Sequence, residues 1–150
     1  MKARLFTDGG ARGNPGPAGI GVVLVGEDDV PIDQIARSLG ETTNNVAEYT
    51  ALVTGLEAAL ARGVTDIEIF LDSELVVHQV KGEWKIKNDR LRPLAVKAQS
   101  LLRRFGTMTI EHIPRSLNEA ADALANLAMD AAAEDDDLSL RLEQRSLFET

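Results

Sequence analysis

Three short apolar runs precede the first helical pattern of the chain, and this order restricts the folds that it can adopt. Residues 3–7 and 19–25 have the aliphatic and β-branched composition of strands, and a Gly/Pro-rich turn at 9–17 joins them. A third run at 33–39 follows the turn-forming residues 26–29. Because the links are short, we expect an antiparallel meander of three strands.

Helical and strand patterns alternate through the rest of the chain. Apolar residues recur at helical spacing over 44–62, and 66–71 is typical of a strand. Two later helices are expected at about 73–80 and at 90–105, followed by a strand at 107–113. A capping-box sequence at 116–119 predicts the start of a last helix, which runs to about residue 133. The order βββ-α-β-α-α-β-α predicts an α/β fold, a five-stranded mixed sheet flanked by helices.

Length and composition limit the class of protein. The 150 residues fit one domain, which we place at 1–133, with an acidic and then apolar tail at 134–150. No apolar run reaches the roughly 18 residues of a membrane span, and the short apolar start does not resemble a signal peptide. Without cysteine there is no disulfide or thiol nucleophile. We expect a cytoplasmic monomer that begins and ends as a complete domain.

The net charge of −8 is unevenly distributed. Residues 130–150 hold seven acids and two bases, whereas residues 81–115 hold nine bases and three acids. Phosphate binding depends on Lys and Arg, so the basic segment permits a nucleic-acid partner that the overall charge argues against.

Two acids directly follow apolar strands. Asp8 ends one predicted strand and Asp72 another, and we expect both to be exposed at the carboxyl edge of the sheet. Neighbouring strands lie about 4.8 Å apart, so the two carboxylates can share a cation. Each acid alone also has an ordinary interpretation as a helix cap or turn residue.

Two further acids lie on predicted helices. Glu48 lies early in its helix, where it can simply complement the helix dipole, and Asp122 lies in an alanine-rich helix where solvent exposure is common. Four acids from separate elements nevertheless suit Mg²⁺ or Mn²⁺, which prefer oxygen ligands. With no cysteine and two histidines, a zinc site is disfavoured.

Four motifs in order resemble those of the bacterial type 1 ribonuclease H family. They are TDGGARGNPGPAG at 7–19, TNNVAE at 43–48, LDSELV at 71–76 and NEAADALA at 118–125, and the resemblance covers about 1–130. It implies an endonuclease that hydrolyses the RNA strand of RNA–DNA hybrids and leaves 5′-phosphate and 3′-hydroxyl ends. The family's four metal-ligand positions fall on Asp8, Glu48, Asp72 and Asp122, which would bind two Mg²⁺ or Mn²⁺ ions, with Asp8 shared between them.

The resemblance also implies contacts with the hybrid. Recognition of RNA requires reading of its 2′-hydroxyl groups, and asparagine amides offer both a donor and an acceptor for this. The implied substrate contacts are Gly9, Gly10, Asn14, Thr43, Asn44, Asn45, Glu74 and Asn118, with Thr43 on a phosphate. Turn and cap roles for the same asparagines are compatible with recognition.

The chain departs from many relatives in two loops. It has no room for the basic helix and loop by which those relatives grip the DNA strand. The missing positive charge is expected to be replaced in part by five basic residues: Lys81, Lys85, Lys87, Arg90 and Arg92. We expect Trp84 to belong to the core and not to contact the substrate. Relatives also place a mobile histidine before the last helix. Here Arg115 is favoured for that auxiliary role over His112, which lies in a predicted strand, and His78 is expected at the surface.

Other functions remain open. One alternative is that the chain cleaves double-stranded RNA, in addition to hybrids or in place of them. Another is a non-catalytic module that binds hybrids, which is disfavoured because none of the four carboxylates is missing. In the tail, Gln144, Leu147 and Phe148 resemble a peptide that binds the bacterial sliding clamp. The tail's leucines alternatively pack back on the domain, or the tail is frayed.

Overall fold

The computed structural model describes residues 1–134 and the backbone of residues 139–143. Its strands are β1 (Lys2–Ala11), β2 (Gly16–Gly26), β3 (Pro31–Thr42), β4 (Asp66–Leu71), β5 (Thr107–His112) and β6 (Ser139–Glu143). Its α-helices are α1 (Asn44–Ala61), α2 (Glu74–Val80), α3 (Leu91–Leu102) and α4 (Glu119–Ala133), and a 3₁₀ turn at Arg115–Leu117 precedes α4. The clamp-like peptide that includes Gln144 and Phe148 lies outside the described residues.

The predicted mixed sheet of five strands is confirmed. The order is β5-β4-β1-β2-β3, with β1 to β3 antiparallel and β4 and β5 parallel to β1. A sixth strand, β6, pairs antiparallel with the outer edge of β3. Part of the predicted tail therefore extends the sheet, an element that the sequence patterns did not indicate.

Helices cover both faces of this sheet. The buried residues Tyr49, Leu52 and Leu56 of α1 belong to the same apolar cluster as Leu5 and Ile69 of the sheet. On the other face α4 packs closely on β2, where a Cβ added to Gly21 would lie 2.1 Å from a carbonyl oxygen of α4. Side chains alternate between faces along a strand, so β1 serves both layers. No helix within residues 1–134 is long and apolar enough to cross a membrane.

Several boundaries differ from the sequence predictions. The first hairpin is longer, because pairing continues to Ala11 and Ala18 and only 12–15 remain for the turn. Glycine lowers strand propensity, which is why the pattern predicted a turn over 9–17. Helix α3 also ends three residues earlier than expected.

The predicted capping box at 116–119 is wrong. These residues include most of the 3₁₀ turn, and α4 begins at Glu119 without a side-chain cap from Asn118. The physical reason is that Arg115–Leu117 form a 3₁₀ turn, which places Ser116 before α4 and not at its N-cap. Asn118 stands at the N-cap position instead, and its Nδ2 donates a 2.9 Å hydrogen bond to the carbonyl oxygen of Thr7 in β1. This bond ties the start of α4 to the middle of the sheet.

Candidate metal and nucleic-acid site

Asp8 and Asp72 meet where the parallel pairing of β1 and β4 stops. Thr7 is paired with Leu71, the last residue of β4, so Asp72 leaves the sheet as Asp8 continues along β1. The expectation of an exposed Asp8 at a strand end is wrong. Asp8 lies within β1, opposite Gly21 of β2, and is only 7% exposed because helices pack around it.

Glu48 is brought to Asp8 by a close approach of α1 to β1. The Gly9 N–H donates a 2.7 Å hydrogen bond to Glu48 Oε1. A Cβ at Gly9 would lie 2.2 Å from the carbonyl oxygen of Ala47, so only glycine permits this approach. Glu48 is buried and its side chain contacts the sheet. The interpretation of Glu48 as a residue that simply complements the helix dipole is therefore wrong.

The three carboxylates form a compact cluster. Asp8, Glu48 and Asp72 each offer an oxygen within 4.8 Å of the others. Burial raises the pKa of Asp8, and the charges of Glu48 and Asp72 raise it further. Burial also raises the pKa of Glu48, against the lowering effect of the Gly9 hydrogen bond. A set of hard oxygen donors whose charges repel one another fits a divalent cation such as Mg²⁺ or Mn²⁺.

Asp122 lies next to this cluster and is held by an arginine. After burial and the charges of Glu48 and Asp72, the proximity of the Asp122 carboxylate also raises the pKa of Asp8. Arg115 Nη2 donates a 2.9 Å hydrogen bond to Asp122 Oδ1. His112, the alternative to Arg115, instead lies 4.0 Å from Glu74 and does not line the groove beside the carboxylates. The structure therefore brings Arg115 to the site.

Two of the predicted asparagines, Asn14 and Asn44, form a hydrogen-bonded corner at the start of α1. Asn14 Oδ1 accepts from the Asn44 N–H at 3.1 Å, and Asn44 Oδ1 accepts from the Ala11 N–H at 3.3 Å. Thr43 caps α1 by accepting from the Val46 N–H at 3.3 Å. These bonds use the side-chain oxygens of Asn14, Asn44 and Thr43 as acceptors, which leaves the amide NH₂ groups and the Thr43 hydroxyl hydrogen as potential donors.

Asn118 and Glu74 are among the predicted substrate contacts that do not line the groove beside the carboxylates. Asn118 is 1% exposed, and its Oδ1 has no hydrogen-bond partner among residues 1–134. Its contact with the backbone of Thr7 places it beneath Asp8, where it positions β1. Glu74 is exposed at the start of α2 and faces His112.

A groove of about 470 Å³ runs from the carboxylates along the end of β1. It passes Gly10 and Asn44 and reaches Arg12, Asn126 and Met129. Sequence reasoning missed these last three residues. Helical spacing could have found Asn126, which lies one turn beyond Asp122 on the same face of α4.

The loop between α2 and α3 forms a second groove beside Asn45. The expectation that Trp84 belongs to the core is wrong: it is 45% exposed and stacks on half-buried His78 with ring centroids 4.3 Å apart. The physical reason is that the short loop places Trp84 against the outer side of α2, where its ring covers His78. Lys85 and Lys87 line the same groove, of about 620 Å³.

Buried hydrogen bonds anchor this loop to α1. Tyr49 Oη donates to Gln79 Oε1 at 2.7 Å, and Gln79 Nε2 donates to the carbonyl oxygen of Lys85 at 3.1 Å. The basic loop is thus fixed relative to the helix that carries Glu48. No helix lies between Val80 and Leu91 in this described segment, as the sequence predicted.

Comparison with known proteins identifies the family. A family model described as "Reverse transcriptase-like" matches residues 6–128. The N-terminal RNase H domain of a Mycobacterium tuberculosis protein, solved as a fusion with maltose binding protein, superposes with a TM-score of 0.88 at 45% identity, covering 90% of this chain and 98% of that chain. This chain belongs to the ribonuclease H family.

Other ribonuclease H proteins agree with this assignment. Ribonuclease HI of Halobacterium salinarum is 46% identical over 131 residues, which are 87% of this chain and 66% of that protein. LC11-RNase H1, crystallised in complex with an RNA/DNA hybrid, has a TM-score of 0.81 at 42% identity, covering 87% of this chain and 98% of that one. The chain spans only 37% of the length of its full-length mycobacterial relatives.

Proposed function

We propose that this ribonuclease H domain hydrolyses the RNA strand of RNA–DNA hybrids and leaves 5′-phosphate and 3′-hydroxyl ends. The observation that carries the proposal is the convergence of Asp8, Glu48 and Asp72 within 4.8 Å, with Asp122 beside them, at the head of a groove. The hybrid bound to LC11-RNase H1 supports the choice of substrate. Residues 1–133 constitute the catalytic domain in this proposal.

The carboxylates have the role of metal ligands. Asp8, Glu48 and Asp72 would hold one Mg²⁺ or Mn²⁺ ion, and Asp8 with Asp122 a second. When bound, the ions lower the pKa of the attacking water and stabilise charge on the departing 3′-oxygen. The raised pKa values of Asp8 and Glu48 mean that the metal-free site holds protons, which metal binding releases. The Gly9 N–H keeps Glu48 oriented in both states.

The asparagine corner selects RNA. Asn14, Asn44 and Asn45 present amide groups at the start of α1, where a 2′-hydroxyl group can both donate and accept. The mutual bonds of Asn14 and Asn44 orient these groups before substrate arrives. Thr43 donates its hydroxyl to a phosphate, and the backbone of Gly10 lines the path of the RNA strand.

Arg115 has an auxiliary role in handling phosphate. Its side chain is 73% exposed and needs only to leave Asp122 in order to reach a phosphate in the groove. The negative charges of Asp122, Asp8 and Asp72 raise its pKa, so it remains charged and does not shuttle protons. It therefore acts by holding phosphate.

The decisive test is cleavage of an end-labelled hybrid with Mg²⁺ or Mn²⁺. We expect the wild-type chain to cut the RNA strand, and Asp8→Asn and Asp72→Asn to lose turnover by at least about a thousandfold while circular dichroism shows a retained fold. Full activity of either variant at saturating Mg²⁺ would contradict the proposal. Preferential cleavage of double-stranded RNA would change the substrate, and hybrid binding without cleavage would indicate a binding module.

A further inference from the structure

Arg12 occupies the end of the groove opposite the carboxylates. It follows β1 directly, and its Nη1 pairs with Asp130 Oδ1 on α4. Its Nη2 lies 3.5 Å from both the backbone and the side-chain oxygen of Asn126. A cation that lines the same groove as the candidate metal ligands has a substrate phosphate as its natural alternative partner.

Helix α4 connects the two ends of this groove. Asp122, Asn126 and Asp130 recur every four residues and so lie along one face of the helix. Asp122 pairs with Arg115 at one end of this row and Asp130 pairs with Arg12 at the other. Eight residues of helix separate the two acids by about 12 Å. Each arginine is thus held by a carboxylate at the margin of one continuous groove.

The ion pair of Arg12 is exchangeable. The two side chains are 43% and 60% exposed, and an ion pair at such an exposed position contributes little to stability. A phosphate can accept two hydrogen bonds from the planar guanidinium, as a carboxylate can, so it is a chemically equivalent partner for Arg12. Replacing Asp130 by phosphate therefore costs little.

We propose that Arg12 binds a phosphate of the RNA strand beyond the scissile one and releases Asp130 when it does so. This inference rests on the proposed function. The RNA strand is assigned because the groove is continuous with the carboxylates that would face the scissile phosphate, whereas Lys85 and Lys87 border the separate groove beside Asn45. Nothing in the sequence motifs assigned a substrate role to Arg12.

The first test is the salt dependence of hybrid binding. Fluorescence anisotropy with Ca²⁺ in place of Mg²⁺ gives the dissociation constant, and a gel verifies that the hybrid stays intact. We expect Arg12→Gln to lower the slope of log K against log salt by about 0.9, the value of one phosphate contact on a duplex, and to weaken binding about three- to tenfold. An unchanged slope would overturn the inference.

Arg4→Gln is the matched control. Arg4 lies on β1, the strand that Arg12 follows, and also pairs with an exposed aspartate, Asp29, but at the opposite end of β1 and outside the groove. We expect its slope to equal that of the wild type. Asp130→Asn gives a second measurement, because it removes the carboxylate that pairs with Arg12. This substitution should tighten hybrid binding in the wild-type background more than in the Arg12→Gln background. Equal effects in both backgrounds would contradict the exchange of Asp130 for a phosphate at Arg12.

A scan of neutral methylphosphonates locates the contact. One linkage at a time is replaced in either strand of the hybrid. We expect one RNA-strand position, away from the cut, to weaken binding by the wild type and to have no effect on Arg12→Gln. A DNA-strand position that behaves in this way instead would overturn the strand assignment. If the wild type cuts hybrids but Arg12→Gln leaves the salt dependence of binding unchanged, only this inference is contradicted. If the wild type neither binds nor cuts hybrids, the proposed function is contradicted as well.

Discussion

Arg115 Nη2 lies 2.9 Å from Asp122 Oδ1, so the carboxylate beside the three-acid cluster is already neutralised by a side chain of the same chain. Asp122 is 25% exposed and Arg115 is 73% exposed, which leaves the arginine free to swing away. A second divalent cation at Asp8 and Asp122 would need that carboxylate. Arginine and cation therefore compete for Asp122.

Removing this competitor should strengthen metal binding. We expect Arg115→Ala to bind Mn²⁺ about three- to tenfold more tightly in isothermal titration calorimetry, because loss of a solvent-screened positive charge beside Asp122 is worth about 1 kcal/mol. The same variant should cut hybrids more slowly, since it lacks the phosphate contact. Arg4→Ala removes an arginine that pairs with Asp29 outside the groove, and it should change neither quantity. Weaker Mn²⁺ binding by Arg115→Ala would refute the competition.

The metal-free chain should lose stability as the pH rises. Burial and then neighbouring carboxylates raise the pKa of Asp8, and burial raises that of Glu48. The folded state therefore holds protons that the unfolded state has released, so this stability is complete below about pH 4 and declines as the pH rises through the folded-state values. Urea unfolding in EDTA between pH 5 and 9 measures this decline.

Asp8→Asn should flatten that pH dependence. The amide removes the charge, and at pH 8 the variant should exceed the wild type by about 1–3 kcal/mol in free energy of unfolding, since one unit of pKa shift corresponds to about 1.4 kcal/mol. Asp66→Asn is the control, because Asp66 is half-buried at the start of β4 in the same sheet, and hydrogen bonds from Thr107 and Thr65 lower its pKa. Parallel curves for Asp8→Asn and the wild type would show that Asp8 is not the source of the decline.

Gly9→Ala should destabilise the domain through a backbone clash. The new Cβ would lie 2.2 Å from the Ala47 carbonyl oxygen, so α1 must move away from β1. We expect a loss of about 1–3 kcal/mol in chemical unfolding, with weaker Mn²⁺ binding because Glu48 moves too. Gly10→Ala meets the flexible end of Met129, at 3.2 Å, and Asn44 Oδ1 at an ordinary 3.5 Å, and it should cost much less. Equal losses for the two variants would exclude the helix contact as the cause.

The basic loop should contribute affinity rather than chemistry. Lys85→Gln with Lys87→Gln removes two cations from the groove beside Asn45, and we expect the salt slope of hybrid binding to fall by about 0.9 for each phosphate that a lysine no longer neutralises. The single-turnover rate at saturating enzyme should stay near that of the wild type. Lys97→Gln, whose lysine pairs with Glu57 on α3 and α1, is the matched control. A reduced rate with an unchanged slope would assign the loop a different role.

Local patterns predicted much of the fold because strand and helix periodicities are properties of short segments. The predicted strand at 66–71 matches β4, and the helix predicted over 44–62 matches α1 within one residue. Motif spacing also selected the four acids that converge in space. The pairing of β6 with β3 was not predictable, because it depends on an edge far away in the chain.

Residue environments were predicted less well. Asp8 was expected to be exposed and is buried, whereas Trp84 was expected in the core and is exposed. Asn118 was expected to contact the substrate and is instead buried, where it holds the backbone of Thr7. In each case the side chain's neighbours come from other segments of the chain, and intrinsic propensity carries no information about them.

By itself, the sequence determined which chemistry is available: hard carboxylate oxygens, amide donors and no thiol. It also determined the order of strands and helices that makes a mixed sheet. Only the tertiary structure decided how those groups act together. Three features set the distances between the charges: the end of β4 opposite Thr7, Gly9, which lets α1 approach β1, and Arg115, which holds Asp122. Those distances control the pKa values of the carboxyl groups and their affinity for cations.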